Sequence, residues 1–337
     1  MQQPSVTVLV SCLAMCLVAP VSAHHSARVT YDVDRSIEME GEITEVFVRN
    51  PHLHLTLKTI DAAGAEVLID VESIPATRLQ RVGLPPELFR VGDTVRVAGF
   101  PSRRYADEMY ANNLLLPDGR EVLLDTPVAY WTNNTIGLGL DITPGERSSD
   151  RSLGIFRVWS TDGQFYRQSV ESLLTDEARA ARAEWDPFAP DNPFLGCAPK
   201  GMPQIMGQPN PIEFVNRGDE IVIRLEEFDT VRVISMAEPP AEPREPTLLG
   251  HSFGRWEDDS LVVETDGIDY PYFGQDGTLQ SEAMHVVERF TVNADGSRLD
   301  YEQTLTDPWL LTDTLTRSKT WVWVPGDQVL PFQCGVD

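Results

Sequence analysis

The chain has 337 residues, with 52 acidic and 27 basic side chains and a formal net charge of -25. Nucleic-acid binding and docking on anionic lipid both need a net basic face, so this charge argues against both. A hydrophobic fraction of 42% with 8% aromatic residues is enough for packed cores and excludes global disorder. At roughly 100–200 residues per domain, the length predicts two domains.

The first 23 residues have the pattern of an export signal. Residues 6–21 form an apolar run that is short for a bilayer span, and the sequence Val-Ser-Ala at 21–23 is a small-x-small cleavage pattern. An alternative is a lipoprotein signal that ends at Cys16, although a methionine precedes it where a small residue is preferred. We therefore expect a periplasmic or secreted protein without a membrane span, whose mature chain begins at His24.

Two cysteines remain after that cleavage, Cys197 and Cys334. In an oxidising compartment two cysteines most simply form one disulfide. This disulfide would join the start of the second domain to its end and contribute roughly 4–5 kcal/mol to stability in the chain-entropy model. Two unpaired buried thiols are the alternative.

Residues 36–124 show short strands and one helix. Residues 37–44 and 52–58 alternate apolar and polar side chains with period two, and 65–73 follows as a third strand. Residues 74–82 are helical in pattern, with Ser73 as the expected N-cap and Gly83 as the end. Further strands are expected at 91–100, 111–117 and 120–124. This β-β-β-α-β-β order predicts an OB-like small barrel for residues 24–128.

Residues 129–152 show no clear element and are expected to be a linker. In the remaining part, 153–337, a helix is predicted over 175–185, and a Pro- and Gly-rich stretch follows it. Strands or hairpins are expected at 153–160, 213–228, 230–236, 252–267, 283–306 and 314–325. We therefore predict a mainly β protein whose second domain is an antiparallel β-barrel or a strongly curved sheet.

Several short motifs carry a resemblance to known sequences. The N-terminal part has His-His-Ser at 24–26, Asn-Pro-His at 50–52 and the segment VGDTVRVAGFPS, and it resembles a family of exported bacterial domains of unknown function. The second part has CxPxGxPQ from residue 197, GHSxGRWE from residue 250 and SEAxHVVERF from residue 281, and it resembles uncharacterised proteins of environmental bacteria. Neither resemblance implies an activity; both imply architecture and compartment.

The histidines near the mature N-terminus suggest a metal site. A chain that begins at His24 carries an amino group and an imidazole on one residue, and this pair chelates Cu(II), which prefers nitrogen ligands. His25 follows, and His52 and His54 lie two residues apart on one strand face, where either could supply a third nitrogen. Copper is the only cofactor that any motif suggests. The alternative is a solvated N-terminus and two surface histidines.

A second polar set lies in the C-terminal domain and includes His251, Glu264, His285 and Glu288. Strand alternation places His285 and Glu288 on opposite faces, so an acid–base pair would need a partner from a neighbouring strand. The alternative is a structural hydrogen-bond network. The aromatic residues Trp321 and Trp323 share a strand face with Arg317 and Lys319, which fits either a ligand pocket or core packing.

These features leave more than one class of function open. The leading hypothesis is an exported binding protein for a small ligand or a metal ion, with copper as the candidate ion. The alternative is a hydrolase, lyase or isomerase that acts in the C-terminal barrel on a small hydrophobic or carbohydrate-like substrate. A partner protein of the cell envelope is a third possibility, which a large apolar patch would favour.

Overall fold

The computed structural model of the protein describes residues 30–137, 151–161, 166, 168–187, 189, 192–242 and 244–335. Within these residues the chain forms two closed β-barrels, one of five strands and one of nine. The predicted mainly β fold class is therefore confirmed. No helix of the described part combines the length and the apolar character needed to cross a lipid bilayer.

The strands of the first barrel bury every second side chain. In the second strand the inward side chains are Leu53, Leu55 and Leu57, which are at most 1% exposed. The side chains of the sequence neighbours His52 and His54 lie on the outer face. Pairing of the first strand with the fourth, and of the third with the fifth, closes the barrel. Its strands are β1 (Ile37–Phe47), β2 (Leu53–Ile60), β3 (Glu66–Ser73), β4 (Thr94–Pro101) and β5 (Glu108–Leu115).

The helix α1 (Ala76–Arg81) lies between β3 and β4, as the OB-like prediction requires. It begins later than expected, because Ser73 does not cap it. The Ser73 hydroxyl donates to the Ala111 carbonyl at 2.8 Å, and Pro75 occupies the N-cap position without a side-chain bond. Gly83 follows the helix end as expected, with a φ of 70° that favours glycine.

The segment expected to be a linker, 129–152, contains regular structure in its first part. Strand β7 (Thr135–Ile136) pairs in parallel with β6 (Glu121–Leu123). The Glu121 carboxylate is fully buried and accepts hydrogen bonds from three consecutive backbone N–H groups of residues 130–132, at 2.5 to 2.9 Å. A buried carboxylate needs such donors, so Glu121 holds this segment against the first barrel.

The second barrel is antiparallel throughout except at one junction. Its fourth and fifth strands in chain order, 230–235 and 251–257, pair in parallel over two residue pairs, which the long connection between them permits. The barrel closes where its last strand pairs with its first. Its strands are β8 (Val158–Thr161), β9 (Ile212–Asn216), β10 (Glu220–Leu225), β11 (Thr230–Ser235), β12 (His251–Glu257), β13 (Ser260–Asp266), β14 (His285–Val292), β15 (Arg298–Thr306) and β16 (Leu315–Val322).

Short helices cap and connect these strands. The predicted second helix is α2 (Asp176–Ala183), and the Thr175 hydroxyl caps it by accepting from the Ala178 N–H at 3.0 Å. It ends two residues before the predicted position. The 3₁₀ helices are Pro86–Leu88, Glu171–Leu173, Pro193–Leu195, Gln204–Gly207 and Glu227–Asp229.

A C-terminal segment, residues 323–335, joins the two barrels. The expected disulfide between Cys197 and Cys334 is confirmed, and it links residues 137 positions apart. Asn50, from the Asn-Pro-His motif, contacts this segment twice. Its side-chain amide donates to the Phe332 backbone carbonyl, and its backbone carbonyl accepts from the Gly335 N–H at 2.9 Å. The motif thus places its asparagine at the contact between the barrels.

An ion pair reinforces the same contact. The Arg81 guanidinium of the first barrel donates to both oxygens of Glu226, and it also contacts Asp327 at 3.3 Å. Glu226 is fully buried and accepts one further hydrogen bond, from the Leu330 N–H at 2.9 Å. Removal of the cation would leave the carboxylate buried with nothing to offset its desolvation cost. The stability of the junction therefore depends strongly on both members of the pair.

We predict that Arg81→Met lowers the free energy of unfolding by about 3–5 kcal/mol, since it leaves the Glu226 carboxylate buried without a cation. The matched control is Arg96→Met, which breaks a surface pair with Glu38 and should cost at most about 1 kcal/mol. Urea denaturation of the mature protein measures both values. Equal losses in the two variants would contradict this account of the junction.

Candidate functional site

The outer face of β2 and β3 brings two histidines beside two carboxylates. The His52 Nδ1 atom lies 3.0 Å from Glu72 Oε1 and 3.1 Å from the Ser73 carbonyl oxygen. The His54 Nδ1 atom lies 3.2 Å from each carboxylate oxygen of Asp70. Both pairs form because β2 and β3 are antiparallel neighbours, so that the outward-facing side chains of one strand lie beside those of the other. We call His52, His54, Asp70 and Glu72 the β2–β3 face.

These contacts decide which ring nitrogen of each histidine is available. A proton on Nδ1 that is donated to a carboxylate leaves Nε2 with its lone pair. Among the described residues, the hydrogen bonds and ion pairs of His52 and His54 are all made through Nδ1. Metal-binding histidines commonly have this arrangement, in which the second nitrogen donates to a carboxylate or a carbonyl.

Tyr31 lies at the same face. Its hydroxyl donates to Glu72, and its side chain is only 4% exposed. Burial first, and then the charge of Glu72, raise the pKa of Tyr31 far above its usual range, so the phenol keeps its proton. Burial, and then the negative charge of the nearby Asp70, raise the pKa of Glu108, so this carboxyl also lies in acidic surroundings. Such surroundings favour a cation.

The predicted ligands His24 and His25 lie outside the described residues. Seven peptide units separate His24 from Tyr31, and a fully extended chain of that length spans at most about 25 Å. Among the residues that the structure does describe, no three His, Cys, Asp or Glu side chains form a group that could hold a metal ion. The β2–β3 face therefore offers two imidazoles, and a metal centre here would need ligands from the preceding segment.

The candidate catalytic residues of the second barrel do not converge. His251 and His285 lie on the outer surface, where His251 Nε2 is 2.8 Å from the Glu245 carbonyl and His285 Nδ1 is 2.7 Å from Asp266 Oδ1. Glu264 is also outside and pairs with Arg255. Glu288 is fully buried in the interior, on the opposite face from His285, as alternation requires. Whether any of them is catalytic stays a prediction.

A cleft of about 660 Å³ lies beside β12, where the strand diverges from β11. Asp266 contributes to its wall, so the His285–Asp266 pair lies at its rim. Trp256 is 45% exposed there, whereas Trp321 is fully buried in the barrel core. The lining also includes Phe156, Ile221, Met236, Phe253, Gly254, Arg255 and Glu264.

The polar interior of the second barrel was not predicted. Arg232 and Glu288 form a fully buried ion pair, and Ser252, Thr265 and Tyr301 complete its hydrogen bonds. The signal was present in the sequence, because Arg232 shares the inward face of β11 with the buried Ile234. An arginine at an inward position of a strand needs a buried partner.

The N-terminal part has a counterpart among known families. Residues 12–108 match a family described as a family of unknown function, DUF6152. The expected resemblance to a domain of unknown function is confirmed. The matched range includes His24, His25 and the whole β2–β3 face. No curated protein matches the chain.

We predict that Asp70→Asn lowers the pKa of His54. Burial lowers this pKa most, but the hydrogen bond and the charge of Asp70 together outweigh burial and raise the pKa above its ordinary value of about 6.5. NMR titration of the imidazole in both proteins measures the difference.

The same pair gives a signed pH dependence of stability. Because the folded-state pKa of His54 is raised, its contribution is fully present below the unfolded value of about 6.5 and is lost as pH rises through the folded value. The stability advantage of the native protein over Asp70→Asn should therefore be larger at pH 5 than at pH 8.5. An unchanged His54 pKa in the variant would contradict this assignment.

Proposed function

We propose that this protein is an exported, periplasmic or secreted metal-binding protein that holds one late transition-metal ion, with Cu(II) as the preferred ion. The ligands are the amino group and imidazole of His24, with a further nitrogen from His25, His52 or His54. The observation that carries the proposal is the β2–β3 face, where both histidines bind a carboxylate or carbonyl through Nδ1 and keep Nε2 available.

The chemistry of the face supports a divalent cation. Imidazole nitrogen suits Cu(II), Ni(II) and Zn(II), and Cu(II) binds most tightly in the divalent series. Asp70 and Glu72 orient the two rings and make the surroundings negative, which increases the attraction for a metal. Tyr31, seven residues after His24 in the sequence, contacts the same face through its hydrogen bond to Glu72.

Two features support export. The apolar run at 6–21 ends in a small-x-small pattern, and a disulfide such as Cys197–Cys334 persists in oxidising compartments. Cleavage after Ala23 would also create the amino group that the proposed metal site needs.

We predict that the mature protein binds one Cu(II) ion and that a variant with one extra residue before His24 loses at least about 10-fold in affinity. Affinity should fall as pH drops below about 6.5, because the imidazoles must be unprotonated to coordinate. Isothermal titration calorimetry with Cu(II) measures both effects. If the extended protein binds copper as tightly as the mature one, the proposed site is wrong.

A matched set of histidine variants locates the remaining ligand. His52→Ala or His54→Ala should weaken Cu(II) binding about 10-fold or more if that imidazole coordinates. His285→Ala is the control, since His285 has the same Nδ1–carboxylate geometry on the other barrel. An equal loss in the control would indicate adventitious binding at exposed histidines.

A second candidate function is hydrolysis, or another proton-transfer reaction, at the cleft beside β12. The favouring observation is the 2.7 Å contact of His285 with Asp266 at the rim of that cleft, because a histidine oriented by a carboxylate can act as a general base. Its test is a panel of small ester and glycoside substrates with the native protein and His285→Ala. Turnover that is lost in the variant supports the enzyme hypothesis, and the absence of any turnover removes its basis.

A further inference from the structure

The described strands of the second barrel contain more buried positive than buried negative side chains. Among the described strand residues of this barrel, the buried charged side chains are three cations, Arg232, Arg317 and Lys319, and one carboxylate, Glu288. This excess is unusual in a chain whose net charge is -25, and buried charges are normally paired.

The carboxylate is already fully used by one cation. Glu288 Oε1 accepts from Arg232 Nη1 at 2.9 Å and from the Tyr301 hydroxyl at 2.7 Å, while Oε2 accepts from Arg232 Nη2. The other Arg232 donors reach the hydroxyls of Ser252 and Thr265. Glu288 is therefore paired with Arg232, and no hydrogen bond of the described residues joins it to Arg317.

Arg317 has only a neutral partner. Its Nε donates to Gln303 Oε1 at 2.7 Å, and no carboxylate of the described residues lies within 4.0 Å of its guanidinium. The guanidinium carbon lies 3.9 Å from the ring centre of Tyr166 and 4.8 Å from that of Phe273. The side chain is only 8% exposed, so water screens its charge poorly.

Three buried donors meet at this place without acceptors. Within the described part of the chain, Arg317 Nη2, Gln303 Nε2 and the Tyr166 hydroxyl make no hydrogen bond of good geometry, although the Tyr166 hydroxyl lies near Arg317 and Tyr301. Gln303 cannot turn its oxygen toward them, because that oxygen already accepts from Arg317. Burial raises the pKa of Tyr166, so the phenol keeps its proton and can donate. Native proteins rarely leave buried donors unpaired.

We propose that Arg317, Gln303 and Tyr166 form a binding site for a small oxyanion, the carboxylate of a small organic acid or an inorganic ion such as phosphate. A guanidinium presents a planar pair of donors that matches two oxygens of such an anion. Lys319, two residues along the same strand face, donates to the Gln208 carbonyl at 2.9 Å and adds a second positive charge. The bound anion supplies the missing acceptors and neutralises the buried charge. This site is independent of the proposed metal site, which lies on the other barrel.

The test is thermal unfolding of the mature protein at constant ionic strength, with chloride replaced in turn by acetate, benzoate or phosphate. The native protein should unfold at a temperature several degrees higher in at least one of these anions. A rise with acetate or benzoate assigns the site to organic acids, and a rise with phosphate alone assigns it to an inorganic oxyanion. No rise with any of them overturns the proposal and leaves buried water as the acceptor.

Three variants test the assigned donors. Arg317→Met should abolish the rise without lowering the unfolding temperature in chloride, because it removes a buried charge that lacks a counter-charge. Arg289→Met, which breaks an outer-face pair with Glu257, is the control and should keep the rise. If Arg317→Met does not fold, Tyr166→Phe decides, since it removes only one hydroxyl group and keeps the aromatic ring.

For Tyr166→Phe we expect an unchanged unfolding temperature in chloride and anion binding weaker by about 10-fold, as loss of a hydrogen bond to a charged group implies. Calorimetric titration with the active anion measures the affinity. Unweakened binding in this variant, or an equal loss in Arg289→Met, overturns the assignment of the site.

Discussion

The relative position of the two barrels depends on one short segment, residues 323–335. The Cys197–Cys334 disulfide holds its end to the second barrel, and in the chain-entropy model a loop of 137 residues contributes roughly 4–5 kcal/mol to stability. Asn50 then binds the segment to the first barrel, and the buried Arg81–Glu226 pair lies beside it. A reducing environment would remove the covalent part of this contact, which is consistent with the proposed oxidising compartment.

Strand alternation explains both candidate sites in the same way. In β2 and the residue before it, alternation buries the leucines and turns His52 and His54 outward to meet the carboxylates of β3. In β16 it turns Arg317 and Lys319 inward with Trp321, so that charges enter a largely apolar core. We propose that the first arrangement binds a cation and the second an anion, and the two lie on different barrels of one chain.

Much of the fold follows from local sequence, and the exceptions have physical reasons. Period two in β2 predicted its faces correctly, because alternation is decided by neighbouring residues. Ser73 was assigned wrongly as a cap, since its hydroxyl has a more distant partner in Ala111. β7 is only two residues long and depends on the buried Glu121, and no periodicity can reveal it. The site at Arg317 needs strand register and loop position together, because Tyr166 and Gln303 come from distant parts of the sequence.

The most direct test of the proposed function is imidazole NMR of the mature protein during addition of up to one equivalent of paramagnetic Cu(II). If the metal is held by the N-terminus at the β2–β3 face, the signals of His52 and His54 should broaden first, while those of His251 and His285 remain sharp. Because His285 has the same contact with a carboxylate, it is an internal control for unspecific binding. Simultaneous broadening of all four histidines, or earlier broadening of His285, would contradict the account.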